Sequence, residues 1–153
     1  MKNTPQGVIS ISAKGTGYVD IPEQIEDIEI DFKHLNTALH GDTVEIILHP
    51  KNKNRQTGEV SKIISRAKIN FVGVLENENN IFSLKPDDTK MYTDILIPTE
   101  NLSGAKKGQK VFVAITSWTD KKKMPIGNVL KILGEPGDNN TEMHSIAIEK
   151  GFD

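Results

Sequence analysis

The chain has 153 residues, 36% of them apolar, with 12 glycines, so it has material for one average domain or two small ones and is no disordered polymer. Nineteen basic residues against 21 acids leave a net charge of −2. That balance excludes a protein that holds polyanions by bulk charge and leaves only a local basic face for such work. Aromatics at 5% argue against a ring-lined cofactor pocket, and the absence of cysteine removes disulfides, thiolate nucleophiles and cysteine-ligated metals. Neither a signal-length apolar run at the N-terminus nor a stretch approaching ~18 apolar residues occurs. A cytoplasmic setting without a membrane partner is the expectation.

Strand signals come first along the chain. Gly7 to Ser12 alternates apolar and polar residues, the period of a half-buried strand. Gly15 and Gly17 interrupt, and Tyr18-Val19-Asp20-Ile21 resumes before Pro22. Ile28 to Phe32 alternates again, while Lys33 to His40 breaks the pattern and has room for one helical turn. Gly41-Asp42 is a turn dipeptide that introduces the β-branched run Thr43 to Leu48. Pro50 to Thr57 is polar, basic and free of large apolar residues, an exposed loop. Gly58 to Ile64 adds one more strand.

The second half repeats the first. Asp27-Ile-Glu-Ile and Gly41 recur as Asp94-Ile-Leu-Ile and Gly108, both at a spacing of sixty-seven residues. Gly58-Glu-Val-Ser-Lys-Ile-Ile returns as Gly127-Asn-Val-Leu-Lys-Ile-Leu, and Gly7-Val-Ile as Gly73-Val-Leu. Two copies of one β unit explain this better than a single domain. The expected fold is all-β: two tandem five-stranded barrels, residues 1–68 and 69–135, of the oligonucleotide-binding (OB) kind. A pair of SH3-like barrels is the rival. Residues 136–153 read as a turn-rich linker and a short helix capped by Thr141, leading into a further domain, with an ordinary helix docked on the second barrel as the alternative.

Catalytic constellations are sparse. His34, His40, His49 and His144 lack the i,i+4 spacing that sets two imidazoles on one metal. Asp87-Asp88, between Pro86 and Thr89, reads as a solvated turn rather than an ion site. Neither a phosphate-cradling glycine loop with its lysine nor a Gly-x-Ser-x-Gly elbow is present. No catalytic residue, metal ligand or cofactor is therefore assigned to this chain.

Lys14-Gly15-Thr16-Gly17-Tyr18-Val19 resembles the RNA-contacting strand of cold-shock domains, whose pattern is Lys-Gly-aromatic-Gly-aromatic-aliphatic. Ile28 to Phe32 stands where those domains carry their second motif. Thr16 replaces an aromatic residue, and Glu29 and Asp31 take further nucleic-acid-facing positions, leaving Tyr18 and Phe32 as the stacking rings. A base on one ring is worth ~1–3 kcal/mol, so a weak, sequence-tolerant binder is expected.

Taken end to end, the chain resembles the region before the catalytic domain in the ribonuclease R family of 3′-to-5′ exoribonucleases. The segments that carry the likeness, in order, are Lys14-Gly-Thr-Gly-Tyr, Leu39-His-Gly-Asp-Thr-Val, Lys85-Pro-Asp-Asp, Asp94-Ile-Leu-Ile-Pro, Gly127-Asn-Val, Gly134-Glu-Pro-Gly-Asp and Thr141-Glu. In that family two cold-shock-like barrels precede a domain that cleaves RNA with magnesium held by clustered aspartates. The resemblance implies a fragment that receives single-stranded RNA and passes it to a catalytic domain of the same parent protein, with Mg²⁺ belonging to that domain. The residues expected to meet RNA are Lys14, Tyr18, Phe32 and Lys33, with Lys51, Lys53 and Arg55 in the first cationic loop. The second copy contributes Phe82, Lys85 and the loop Lys121, Lys122 and Lys123 after Trp118. A protein-interaction module without direct RNA binding is the alternative, favoured for part of the surface by Glu29 and Asp31.

Overall fold

The computed structural model describes residues 5–22, 24–50 and 55–150. They divide into two compact units, Met1–Lys68 and Ile69–Asp153. The alternating runs become strands because a closed sheet buries one face only, so every second side chain must be apolar. In the first unit β1 (Gln6–Ile11), β2 (Gly17–Asp20), β3 (Ile28–Ile30), β4 (Thr43–Leu48) and β5 (Thr57–Ser65) close in the order β1-β2-β3-β5-β4. In the second, β6 (Asn70–Glu78), β7 (Ile81–Pro86), β8 (Ile95–Ile97), β9 (Lys110–Ser117) and β10 (Ile126–Gly134) close in the matching order. All pairs are antiparallel except β3 with β5 and β8 with β10, which are parallel. These are two five-stranded OB barrels. Ile9, Val19, Ile28, Ile30, Val44 and Ile46 fill the first, and Leu75, Leu84, Ile95, Ile97, Val111 and Val113 the second.

The repeat read from the sequence is a repeat of backbone geometry. Asn36 and Thr37 adopt positive φ after β3, and Ser103 and Gly104 do the same after β8. Asn36 Nδ2 donates to the Val60 carbonyl, and Ser103 Oγ to that of Val129. Both loops thereby tie the connection before the fourth strand to the middle of the fifth. Gly58 and Gly127 share a packing reason for lacking a side chain: a Cβ would come within 3.3 Å of Ile28 at the first and 2.7 Å of Ile95 at the second.

The helical turn expected between Lys33 and His40 is present as a short 3₁₀ turn, Phe32–His34, which takes Phe32 out of the predicted strand. Gly41-Asp42 is more than a turn. The Asp42 carboxylate is fully buried and accepts from the Leu39 and Ala67 amides and from Arg66 Nη1 at 2.8 Å. In the second barrel the uncharged Gln109 occupies the matching place and accepts from the Lys106 amide.

The cap of the tail helix differs from its expectation. Helix α1 (Asn139–Glu149) is capped by Asp138, whose side chain accepts from the Thr141 amide, while Thr141 itself lies buried in the first turn. The helix lies against β6, β9 and β10 rather than standing away as a linker. Lys110, 6% exposed, holds it by an ion pair of 3.0 Å to Glu142 and pairs at 2.6 Å with Asp87 after β7. The Glu149 carboxylate accepts from the Val72 amide. The residues that hold the helix sit on strands far away in the chain.

Candidate nucleic-acid interface

Strand alternation places Ser10, Tyr18 and Glu29 in one row across β1, β2 and β3, pointing away from the core, because their neighbours Ile9, Val19, Ile28 and Ile30 point in. Tyr18 is half-buried, and the guanidinium carbon of Arg55 stands 5.4 Å from its ring centroid. That is cation–π distance. Arg55 arrives from the β4–β5 connection, is 3.7 Å from Glu29 Oε1, and donates to the Asp27 carbonyl. Glu29, read from the sequence as a nucleic-acid-facing position, therefore stands beside the arginine that covers the ring.

Lys14 is exposed at the tip of the β1–β2 turn, which is closed by the Gly15 amide on the Ser12 carbonyl and by Ser12 Oγ accepting from Thr16. Gly15 has φ +87, and a Cβ there would lie 2.9 Å from the Phe32 ring. The glycine is thus required twice, for its backbone and to let the ring approach. Phe32 is 53% exposed, and Lys33 and Asp31 are exposed beside it. The first barrel so carries Arg55 over Tyr18, and an exposed Phe32 against Gly15, the residue that follows exposed Lys14. Lys51 and Lys53 lie outside the described residues.

The second barrel differs on the matching face. Its row is Glu76, Ser83 and Leu96, without a ring. Lys85 is exposed opposite Val74. The Asp94 carboxyl is held above the usual carboxylate range by partial burial first and by nearby Glu76 second, with Lys85 opposing. Phe82 shares the strand parity of buried Leu84, so it faces the interior side and not the outer face. Lys121, Lys122 and Lys123 are exposed in the β9–β10 connection, and Trp118 beside them packs at 6.0 Å against Tyr92.

Three of the four histidines that looked solitary in the sequence, His34, His40 and His49, are partnered in space. The His34 and His49 rings meet edge-on at 5.0 Å, and His49 reaches Thr57 and Glu59. His40 Nδ1 accepts from the Ile11 amide. Among the described residues no three His, Cys, Asp or Glu side chains converge as a metal site, and no helix is long and apolar enough to cross a membrane.

Fold and face define a tandem OB protein with an aromatic–cationic outer surface on its first barrel. Residues 7–63 match the family model of the ribonuclease B OB domain, and residues 84–153 that of the cold shock domain. Ribonuclease R of Thermotoga maritima is 27% identical over 94% of this chain and 20% of its own length, and that of Ureaplasma parvum 30% identical over 97% and 20%. The chain thus spans about a fifth of the length of these curated relatives. Yeast Ssd1, a pseudonuclease, superposes with a TM-score of 0.82 at 21% identity over 97% of this chain and 25% of its own. Mycoplasma genitalium RNase R, in complex with ribose methylated single-stranded RNA, does so at 0.81 and 18% identity, over 94% and 24%. The chain resembles the N-terminal tandem cold-shock/OB region of ribonuclease R.

Proposed function

We propose that the chain is the RNA-receiving region of a ribonuclease R-like 3′-to-5′ exoribonuclease in the cytoplasm, and that it guides single-stranded RNA to a catalytic domain of the same parent. The observation that carries this is the Tyr18–Arg55 pair on the exposed β1–β3 face, flanked by Lys14 and Phe32. A base stacks on either ring at little cost in sequence preference, while the lysines and Arg55 neutralise phosphates. Strand exposure also favours a single strand, because a ring needs an unpaired base face. The relatives' name and the RNA-bound RNase R neighbour support the same substrate class. Magnesium belongs in this scheme to the catalytic domain.

A second reading applies to one element. Met143 and Ile146 of α1 are 61% and 60% exposed one turn apart, which favours a protein contact on that helix face. Fluorescence anisotropy with labelled oligo-uridylate separates the two. Saturable binding that Tyr18→Ala weakens supports RNA reception, and absence of any binding leaves only the interaction module.

A further inference from the structure

We propose that the second barrel carries its own base-stacking site, in which Tyr92 and Trp118 receive one nucleobase and Lys121, Lys122 and Lys123 take the adjoining phosphates. It rests on the RNA-binding reading above, but on different residues and a different part of the fold.

Tyr92 and Trp118 come from separate connections, β7–β8 and β9–β10, and meet with ring centroids 6.0 Å apart at 46°. Both are half-buried, so ring surface remains in reach of solvent. The indole N–H donates to the Lys123 carbonyl at 2.9 Å. Its polar edge is thus satisfied within the loop. The loop is built as well as charged. Asp120 Oδ1 accepts from the Lys122 amide and the Asp120 carbonyl from the Lys123 amide, an Asx-type turn that leaves three successive lysines exposed. Asp88 uses its own carboxylate the same way, on the Lys90 amide. Lys90, exposed two residues before Tyr92, adds a fourth cation.

The repeat supplies an independent argument. In the first barrel the connection before the fifth strand reaches back to the connection before the third, where Arg55 donates to the Asp27 carbonyl and covers Tyr18. In the second barrel the same two connections meet through Trp118 and Tyr92. One end of the unit therefore gathers rings and cations in both copies, although the outer row of the second, Glu76, Ser83 and Leu96, carries no ring.

Trp118 is the chain's single tryptophan, so its emission reports on this site alone. The experiment titrates the full chain with labelled oligo-uridylate, reading anisotropy and tryptophan emission together. Expected are emission quenching that tracks the anisotropy midpoint, and an affinity loss of roughly 5- to 150-fold in Tyr92→Ala. Tyr92→Phe, which keeps the ring, should bind like the parent. Binding seen by anisotropy with unmoved Trp118 emission, or unchanged affinity in Tyr92→Ala, overturns the second site and leaves RNA reception by the first barrel standing. No anisotropy change at all overturns both. Equal quenching by poly-glutamate overturns base stacking and marks the lysine loop as an acidic-protein contact.

Discussion

The Arg55 guanidinium lies over the Tyr18 ring, 5.4 Å from its centre, while Glu29 from the neighbouring strand sits 3.7 Å from Arg55 Nε. On the proposed function, the acid and an RNA phosphate would compete for one cation, and a base and that cation for one ring, so both competitions would set the affinity of this face.

Truncating the ring gives the first expected outcome. Tyr18→Ala should weaken oligo-uridylate binding by ~1–3 kcal/mol, with Tyr18→Phe near the parent. Anisotropy titrations measure it, and a silent Tyr18→Ala would move RNA off this face.

Glu29→Gln should raise affinity, since it releases Arg55 to phosphate, and Glu29→Gln with Asp31→Asn should raise it further. The salt dependence is the sharper readout. Each added phosphate contact steepens the log–log slope by ~0.7 for a single strand. An unchanged slope in the double variant would show that Arg55 stays on the protein.

Asp42 is buried with Arg66 and two backbone amides as partners. Asp42→Ala should therefore destabilise the first barrel by ~3–5 kcal/mol, because Arg66 loses its charge partner and two amides lose their acceptor. Chemical denaturation measures this, and a loss below ~1 kcal/mol would mean that water replaces the carboxylate.

Acid should loosen α1. The Glu142 carboxyl is held below its ordinary value of 4.5, first by the Gly137 amide and then by Lys110. The folded chain thus binds fewer protons there than the unfolded chain, and stability present above 4.5 is lost as pH falls through the lower folded value. Lys110 works at the other end of the scale. Burial pulls its pKa down, but the Asp87 and Glu142 bonds outweigh that and hold it above 10.5, so its contribution is present below 10.5 and lost as pH rises through the folded value. Protection factors of the α1 amides, which correct for the slower intrinsic exchange in acid, should fall between pH 7 and pH 3 more in the parent than in Glu142→Gln. Equal acid responses would clear Glu142 of this role.

Removal of residues 136–153 should lower the melting temperature of the second barrel while leaving the first unchanged. Lys110 keeps Asp87 but loses Glu142, and the Val72 amide loses Glu149. Each buried group left without its bond costs ~1–3 kcal/mol. Coincident melting of the truncated and full chains would show that the helix adds nothing to the barrel.

The barrels were legible in the sequence because their causes are local and periodic. Alternation at Gly7–Ser12 and Ile28–Ile30 states which face is buried, and repeated glycines such as Gly58 and Gly127 mark where a Cβ would strike the neighbouring strand. Lys14 and Tyr18, in one short motif, and Phe32, in a second, could be singled out for the same reason. What only the tertiary structure decided involves pairs distant along the chain. Nothing near Glu29 announces Arg55, nothing near Asp42 announces Arg66, and Tyr92 gives no sign of Trp118. The place of α1 depended likewise on Lys110 and Val72, in strands formed long before it in the sequence. Periodicity reports the side on which a residue lies; closure of the barrel decides which residue it meets there.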